Sequence, residues 1–338
     1  MKKSVKDLSC VVKRFLDDSW DGVSPLAVAY SGGPDSKALL HAALEWGKAE
    51  LHIVHADHAW REESSEEAAL LRAEAEVLRI PFHSVRLEKS HSENEARDFR
   101  YAYFRSLREQ VPYQAILLGH QADDLAETVL KRVFEGAHLT ALFGMKPVSF
   151  LEGLQLWRPL LSVPRSDIVD WLEHKNLSYF SDPSNADPRY LRARMRSELL
   201  PFLSKTFGKN VLPGLLRLSE RSRELEEYFS GRNSEKVIQG SLGVWIDGSL
   251  LPRVELRSLV QECLKKEGIL LPRTVLESLL DWIEQKKENF RPLERVISHL
   301  GHVFILKKNL PKLTISEVKN NFMCIERKGA RSLSLPLV

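Results

Sequence analysis

Six residues, Ser31-Gly32-Gly33-Pro34-Asp35-Ser36, carry the chemistry read most directly from the chain. They follow an apolar stretch, Leu26 to Tyr30, and run straight into a helical pattern. Paired glycines let a backbone turn tightly with its N–H groups directed inward, and a helix N-terminus favours negative charge; together these make a phosphate cradle. Pro34 lacks an N–H, which leaves Gly32, Gly33, Asp35 and Ser36 as amide donors, with the Ser31 and Ser36 hydroxyls as further ones. Asp35 among phosphates would be repulsive alone, which predicts a magnesium ion held by Asp35 and shared with the phosphates. Taken alone, the same residues also suit an ordinary strand-to-helix turn with a Ser or Asp cap. The spacing is not that of a Walker loop, in which a lysine precedes the serine or threonine: here Lys37 follows Ser36.

The elements that must hold this loop favour the cradle. Leu26 to Tyr30 reads as a buried strand, and about Lys37 to Trp46 as a helix that Gly47 can end. Three more strands alternate with helices as far as Gly136. Strands that are apolar throughout and alternate with helices predict an α/β fold, a doubly wound and mostly parallel sheet covered on both faces. Ligands bind such a sheet beyond the carboxyl ends of its strands. Three polar clusters fall there: Ser31 to Ser36, then Asp57-His58, then Gly119-His120 with Asp123-Asp124. After Gly144 the pattern changes to a short strand, a helix from about Arg165 to Lys175 and another from about Arg189. The turn-rich stretch Ser204 to Gly214 marks a boundary. The expected organisation is a catalytic domain over 1–210, with a helical extension from about 145, and a smaller helical or α+β domain over 211–338.

Composition narrows the class. With 338 residues, 43% hydrophobic and 28% charged, the chain can bury a sizeable core. A net charge of +3 does not by itself identify a nucleic-acid partner. No apolar run approaches the ~20 residues that cross a bilayer, and charges interrupt the basic N-terminus before any signal-peptide core forms, so a cytoplasmic protein is expected. The three cysteines, Cys10, Cys263 and Cys324, form no C-x-x-C pair, which argues against a zinc ribbon or iron–sulfur loop. His52, His55 and His58 recur every third residue, but on a strand that spacing alternates faces, so no joint zinc site is expected.

The loop resembles the PP-loop of the N-type ATP pyrophosphatases. Four further stretches resemble one family among them, the tRNA(Ile)-lysidine synthetases: VHADHAWR (54–61), NEARDFRYAYF (94–104), GHQADDLAETVLKRVFEGAHLTALFGM (119–145), and RPLLSVPRSDIVDWL with DPSNADPRYLRARMRSELLPFL (158–172 and 182–203). The resemblance implies a carbon–nitrogen ligase. ATP would adenylate the wobble cytidine of the isoleucine tRNA bearing a CAU anticodon, with loss of pyrophosphate. The side-chain amine of free lysine would then displace AMP to give lysidine, changing the codon read from AUG to AUA.

The resemblance also implies roles for individual residues. The loop amides, magnesium on Asp35, and Arg97 or Arg100, which share a helix face at i and i+3, would stabilise the α-phosphate. Asp123, Asp124 and Glu127 would bind the lysine amines, although Asp124-x-x-Glu127 also has capping-box spacing. His120 would orient a phosphate or accept a proton from the amine, or simply close a strand. Arg189, Arg192, Arg194 and Arg196 would contact tRNA phosphates, in a segment to Lys209 with six basic residues and one acid; Arg189, Arg192 and Arg196 fit one helical face. The chain departs from the family pattern at Glu135, His138 and Ala141, and has Gln121 where a second histidine is usual. The expected partners are this tRNA and free lysine, with no membrane and with a homodimer left open. A tRNA thiolase would need C-x-x-C pairs, an ammonia-fed synthetase a glutaminase motif, and a non-catalytic nucleotide sensor would not need Asp35, Arg97, Arg100 and the acidic cluster together.

Overall fold

The computed structural model describes residues 8–57, 64–87, 93–180, 189, 191–233, 237–240, 242–249, 251–308 and 318. Residues 58–61, His58 among them, Cys324 and most of the 182–190 stretch lie outside them. The chain divides into two compact units, Met1–His138 with Leu142–Glu220, and Leu139–Ala141 with Arg221–Val338.

The first unit opens with α1 (Leu8–Ser19), whose Leu8, Val12 and Leu16 recur at helical spacing and are buried. The alternation then follows the sequence pattern: β1 (Leu26–Ala29), α2 (Pro34–Trp46), β2 (Leu51–Asp57), α3 (Ser64–Val77), β3 (Phe82–Arg86), α4 (Glu93–Gln110), β4 (Ala115–Leu117) and α5 (Ala122–Phe134). Helix α2 begins three residues earlier than expected, because Pro34 supplies a pre-set φ at the first helical position. It ends at Gly47, which takes a left-handed φ of 65°.

A short hairpin follows, β5 (Val148–Leu151) and β6 (Leu154–Trp157), where one strand was expected. The sheet order is β3-β2-β1-β4-β6-β5, parallel except for β5. The chain steps outward from β1 to β2 to β3, then crosses back through α4 to place β4 on the other side of β1. The strand order therefore reverses between β1 and β4, and a crevice opens at their carboxyl ends. Both faces are filled: Leu26, Val28 and Leu117 pack in one core cluster, and Ala27, Ile116 and Leu118 in another.

After α6 (Arg165–His174) come a short α7 (Leu191–Arg194), a π-helical turn over Met195–Leu199, α8 (Leu200–Thr206) and α9 (Leu212–Asn233). The single helix expected from Arg189 is thus interrupted: it starts at Leu191, and the π turn inserts one extra residue into its winding.

The second unit carries β7 (Val237–Gly240), β8 (Gly243–Asp247), α10 (Arg253–Lys266), α11 (Arg273–Glu284), β9 (Phe290–Leu293), β10 (Val296–His299) and β11 (His302–Leu306). Its antiparallel sheet runs β7-β8-β11-β10-β9. Leu256, Leu259, Leu279 and Leu280 of the two helices share a core cluster with Val244, Ile246, Val303 and Ile305 of the sheet. No described helix is long and apolar enough to cross a membrane.

Candidate active site

The Ser31–Ser36 loop lies at the reversal point, between the end of β1 and the start of α2. Gly32 has a φ of 74°, and a Cβ there would stand 2.4 Å from Phe180 and 2.7 Å from Leu71. Its carbonyl accepts from the Phe180 amide at 2.9 Å, so the turn is tied to the chain after α6. Ser36 Oγ donates to the Gly33 carbonyl at 3.1 Å and accepts from the Ser31 amide at 3.2 Å, which closes the loop on itself. The helical ladder starts with Lys37 N–H to the Gly33 carbonyl at 2.9 Å. The amides of Asp35 and Ser36 precede it, at the positive end of α2.

Gly119, just past β4, approaches the loop closely. A Cβ there would lie 3.0 Å from the Ser36 nitrogen and 3.1 Å from the Asp35 carbonyl carbon. Those neighbours are backbone and cannot swing aside. Gly119→Ala is therefore expected to displace the loop by a few tenths of an ångström and to lower kcat/KM for ATP by about tenfold. Steady-state kinetics with an unchanged kcat/KM for ATP would refute that coupling.

A cavity of about 290 Å³ opens beside the loop, lined by Ser31, Asp35, Ser36, His55, Arg100 and His120 among others. Asp35 Oδ1 is buried without a hydrogen-bond partner, and Oδ2 stands 3.7 Å from Arg165. Burial pushes this carboxyl up to about 6, with Arg165 and Arg196 opposing and Asp124 and Asp123 adding to the rise. A buried carboxylate oxygen with nothing to bind is what a cation ligand needs. No group of three or more metal-ligating side chains gathers among the described residues. With its partnerless buried oxygen, Asp35 could hold magnesium, which takes one or two carboxylates and completes its shell with phosphate and water.

Arg97 and Arg100 both lie over the Tyr101 ring, at 5.3 and 5.8 Å, but only Arg100 lines the cavity while Arg97 is exposed. His120 sits deep in the site. Arg158 Nε donates to its Nδ1 at 3.2 Å, which fixes the ring proton on Nε2. Burial, and then the charges of Arg158, Arg100, Arg192 and Arg97, push the imidazole down to about 3. This ring is thus a neutral donor at Nε2, suited to orienting an anion and unsuited to taking a proton at neutral pH. An NMR titration is expected to find no His120 transition between about pH 5 and 8; a transition near the usual 6.5 would contradict it. His55 is held by the Tyr30 carbonyl at 2.8 Å and His52 by His83 at 3.0 Å, so the two have separate partners.

The acidic cluster is organised by α5. Gln121 is its N-cap: the side-chain oxygen accepts from the Asp123 amide, and the Gln121 amide donates to Asp124 Oδ2 at 3.1 Å. The capping box is therefore Gln121-x-x-Asp124, not the Asp124-x-x-Glu127 that the spacing suggested, and Glu127 falls a turn further in. Asp123 Oδ2 accepts from the Arg165 amide at 2.9 Å at the start of α6.

Arg196 reaches into this cluster, with Nε 2.7 Å from Glu127 Oε1 and a terminal nitrogen 2.8 Å from Asp124 Oδ1. Glu127 is 2% exposed, and burial raises its carboxyl despite Arg196. Arg196 thus points inward, while Arg189, Arg192 and Arg194 are exposed. Arg189 lies in a turn before α7 begins at Leu191, so the i, i+3, i+7 face expected from Arg189 is not built as one helix.

Sequence reasoning gave no role to Arg158 and Arg165, although both stand in the quoted RPLLSVPR segment. It placed Gly119 at a strand end but gave no sign of its close approach to the loop backbone.

The chain matches the family model described as a PP-loop domain over residues 6–203. It is 33% identical over 325 residues, 90% of this chain and 71% of the relative, to a tRNA(Ile)-lysidine synthase of Protochlamydia amoebophila. A tRNA(Ile)-lysidine synthase of Chlamydia muridarum is 37% identical over 282 residues, covering 80% of this chain and 88% of that one. Among solved structures, a U34-tRNA thiolase of Methanococcus maripaludis with its iron–sulfur cluster aligns with a TM-score of 0.53 at 18% identity, over 65% of this chain and 80% of the other. That last likeness is one of fold.

Proposed function

The chain belongs to the PP-loop family and, within it, to the tRNA(Ile)-lysidine synthases, and from that membership we propose a two-step carbon–nitrogen ligation run from the crevice between β1 and β4. The observation that carries the proposal is the buried, unpartnered Asp35 Oδ1 beside a glycine turn and the open amides of α2.

In the first step the amides of Gly32, Gly33, Asp35 and Ser36 hold the phosphates of ATP, with Arg100 and His120 lining the cavity beside the loop. Preorganised donors of this kind stabilise charge where it develops. A magnesium ion on Asp35 would add charge neutralisation on the departing pyrophosphate. The wobble cytidine O2 attacks the α-phosphorus, an O–P bond forms, and pyrophosphate leaves.

In the second step the neutral side-chain amine of lysine attacks C2 of the cytosine, and AMP leaves with the oxygen. Half-buried Asp123 and Asp124 would meet a lysine ammonium, and buried Glu127, paired with Arg196, would act through it. Exposed Arg189, Arg192 and Arg194 would contact tRNA phosphates. An anticodon cytidine lies in a single-stranded loop, so it can be splayed into a pocket without opening a duplex.

The decisive measurement is transfer of labelled lysine to tRNA(Ile) of CAU anticodon with stoichiometric AMP release. AMP release that requires a sulfur donor or ammonia in place of lysine would overturn this reading.

A further inference from the structure

The phosphate loop has a support outside its own motif. Tyr30 immediately precedes the loop and Lys37 immediately follows it. Both side chains end on one carboxylate of α3: the Tyr30 hydroxyl donates to Glu74 Oε2 at 2.7 Å, and Lys37 Nζ donates to Glu74 Oε1. Tyr30 is 2% exposed and Lys37 8%, while the Glu74 side chain is 25% exposed, so both partners are buried and the carboxylate is partly screened from water. His41 Nε2 stands 3.7 Å from the same carboxylate. Burial alone would raise Glu74, but His41, Lys37 and Tyr30 outweigh it and hold the group at about 2, ionised throughout the working range. Three residues earlier on α3, Leu71 fills the space beside Gly32. Helix α3 thus touches the loop before its first residue, at its left-handed glycine and after its last.

We propose that Glu74 is a positioning residue that clamps the two ends of the phosphate loop and so sets its grip on ATP. The inference rests on the reading of this loop as an ATP site. A cradle works only while its amides converge, and a misplacement of about 1 Å can cost about a hundredfold in rate. An ion pair that merely joined α2 to α3 would affect stability and treat all substrates alike; a clamp acts on ATP first.

The test compares Glu74→Gln, Tyr30→Phe and the double variant Lys37→Met/Glu74→Gln. The readouts are KM for ATP, lysine and tRNA in the lysine-transfer assay, ATP affinity by calorimetry, and the melting temperature. The clamp predicts a rise of about tenfold in KM for ATP with Glu74→Gln, equivalent to about 1.4 kcal/mol, with KM for lysine and tRNA within about twofold. Tyr30→Phe, which removes one hydrogen bond and no charge, gives a smaller rise of the same kind. The double variant leaves no lone buried charge, so it remains measurable where Glu74→Gln destabilises the fold, and it also weakens ATP selectively. Unchanged ATP affinity in the double variant overturns the clamp, as does an equal loss for all three substrates. Failure of the unaltered protein to bind ATP would instead overturn the ATP reading itself.

Discussion

Asp35→Asn is expected to abolish lysine transfer and, at the same time, to raise the melting temperature of the ligand-free protein. Under the proposed function, activity falls because the only acidic side chain on the loop would supply a magnesium ion its oxygens; at least about a hundredfold in kcat/KM is expected. Stability rises because the folded protein holds this carboxyl at about 6 instead of the ordinary 3.8, chiefly through burial. That gap corresponds to about 3 kcal/mol of unfavourable ionisation, which an isosteric amide does not carry. The sign with pH follows. Between about pH 4 and 6 the folded chain holds more protons than the unfolded one, so this group's contribution falls as pH rises through that window. The variant's advantage should be small near pH 4 and full above about pH 7, reaching roughly 5–10 °C in a unit of this size. A variant less stable than the parent at pH 7 would refute the uncompensated charge. Activity within tenfold of the parent would refute the cation role.

Arg196→Ala should act mainly on folding, although its setting in a basic segment suggested a tRNA contact. Its guanidinium joins Glu127, which is 2% exposed, and Asp124, at 2.7 and 2.8 Å. Removing it leaves a buried carboxylate without a partner, which costs about 3–5 kcal/mol. Denaturant titration is the measurement, and a loss under about 1 kcal/mol would sink the argument. Adding Glu127→Gln to Arg196→Ala should restore much of the loss, because the stranded charge goes with it. Arg192→Ala and Arg194→Ala, at exposed positions, should instead weaken tRNA binding and each lower its salt slope by about 1.

What was legible in the sequence was what chain-local chemistry determines. Apolar β1 and β4, the glycines and proline of the loop, and the polar residues at strand ends declare themselves within a few positions, and they marked the carboxyl edge of the sheet, where the loop and the cavity beside it lie. What escaped depends on partners far along the chain. Arg196 lies 69 positions from Glu127 and Lys37 lies 37 from Glu74, and no spacing rule links such pairs. The helix cap at Gln121 was missed for a different reason: glutamine is a less usual cap than aspartate, and Asp124 offered a tempting register one turn off. The π turn escaped because an inserted residue leaves the composition of a helical segment unchanged.

That turn separates chain length from direction. In an α-helix each residue advances about 100° around the axis, so an extra residue would ordinarily rotate everything that follows. The wider turn over Met195–Leu199 absorbs its extra residue instead, and α8 leaves it facing as it would from a regular helix one residue shorter. Deleting one residue there trades the π turn for a regular helix and keeps the exposed Phe202 and Phe207 on their present side. The same deletion between those two would carry Phe207 through more than a quarter of a revolution.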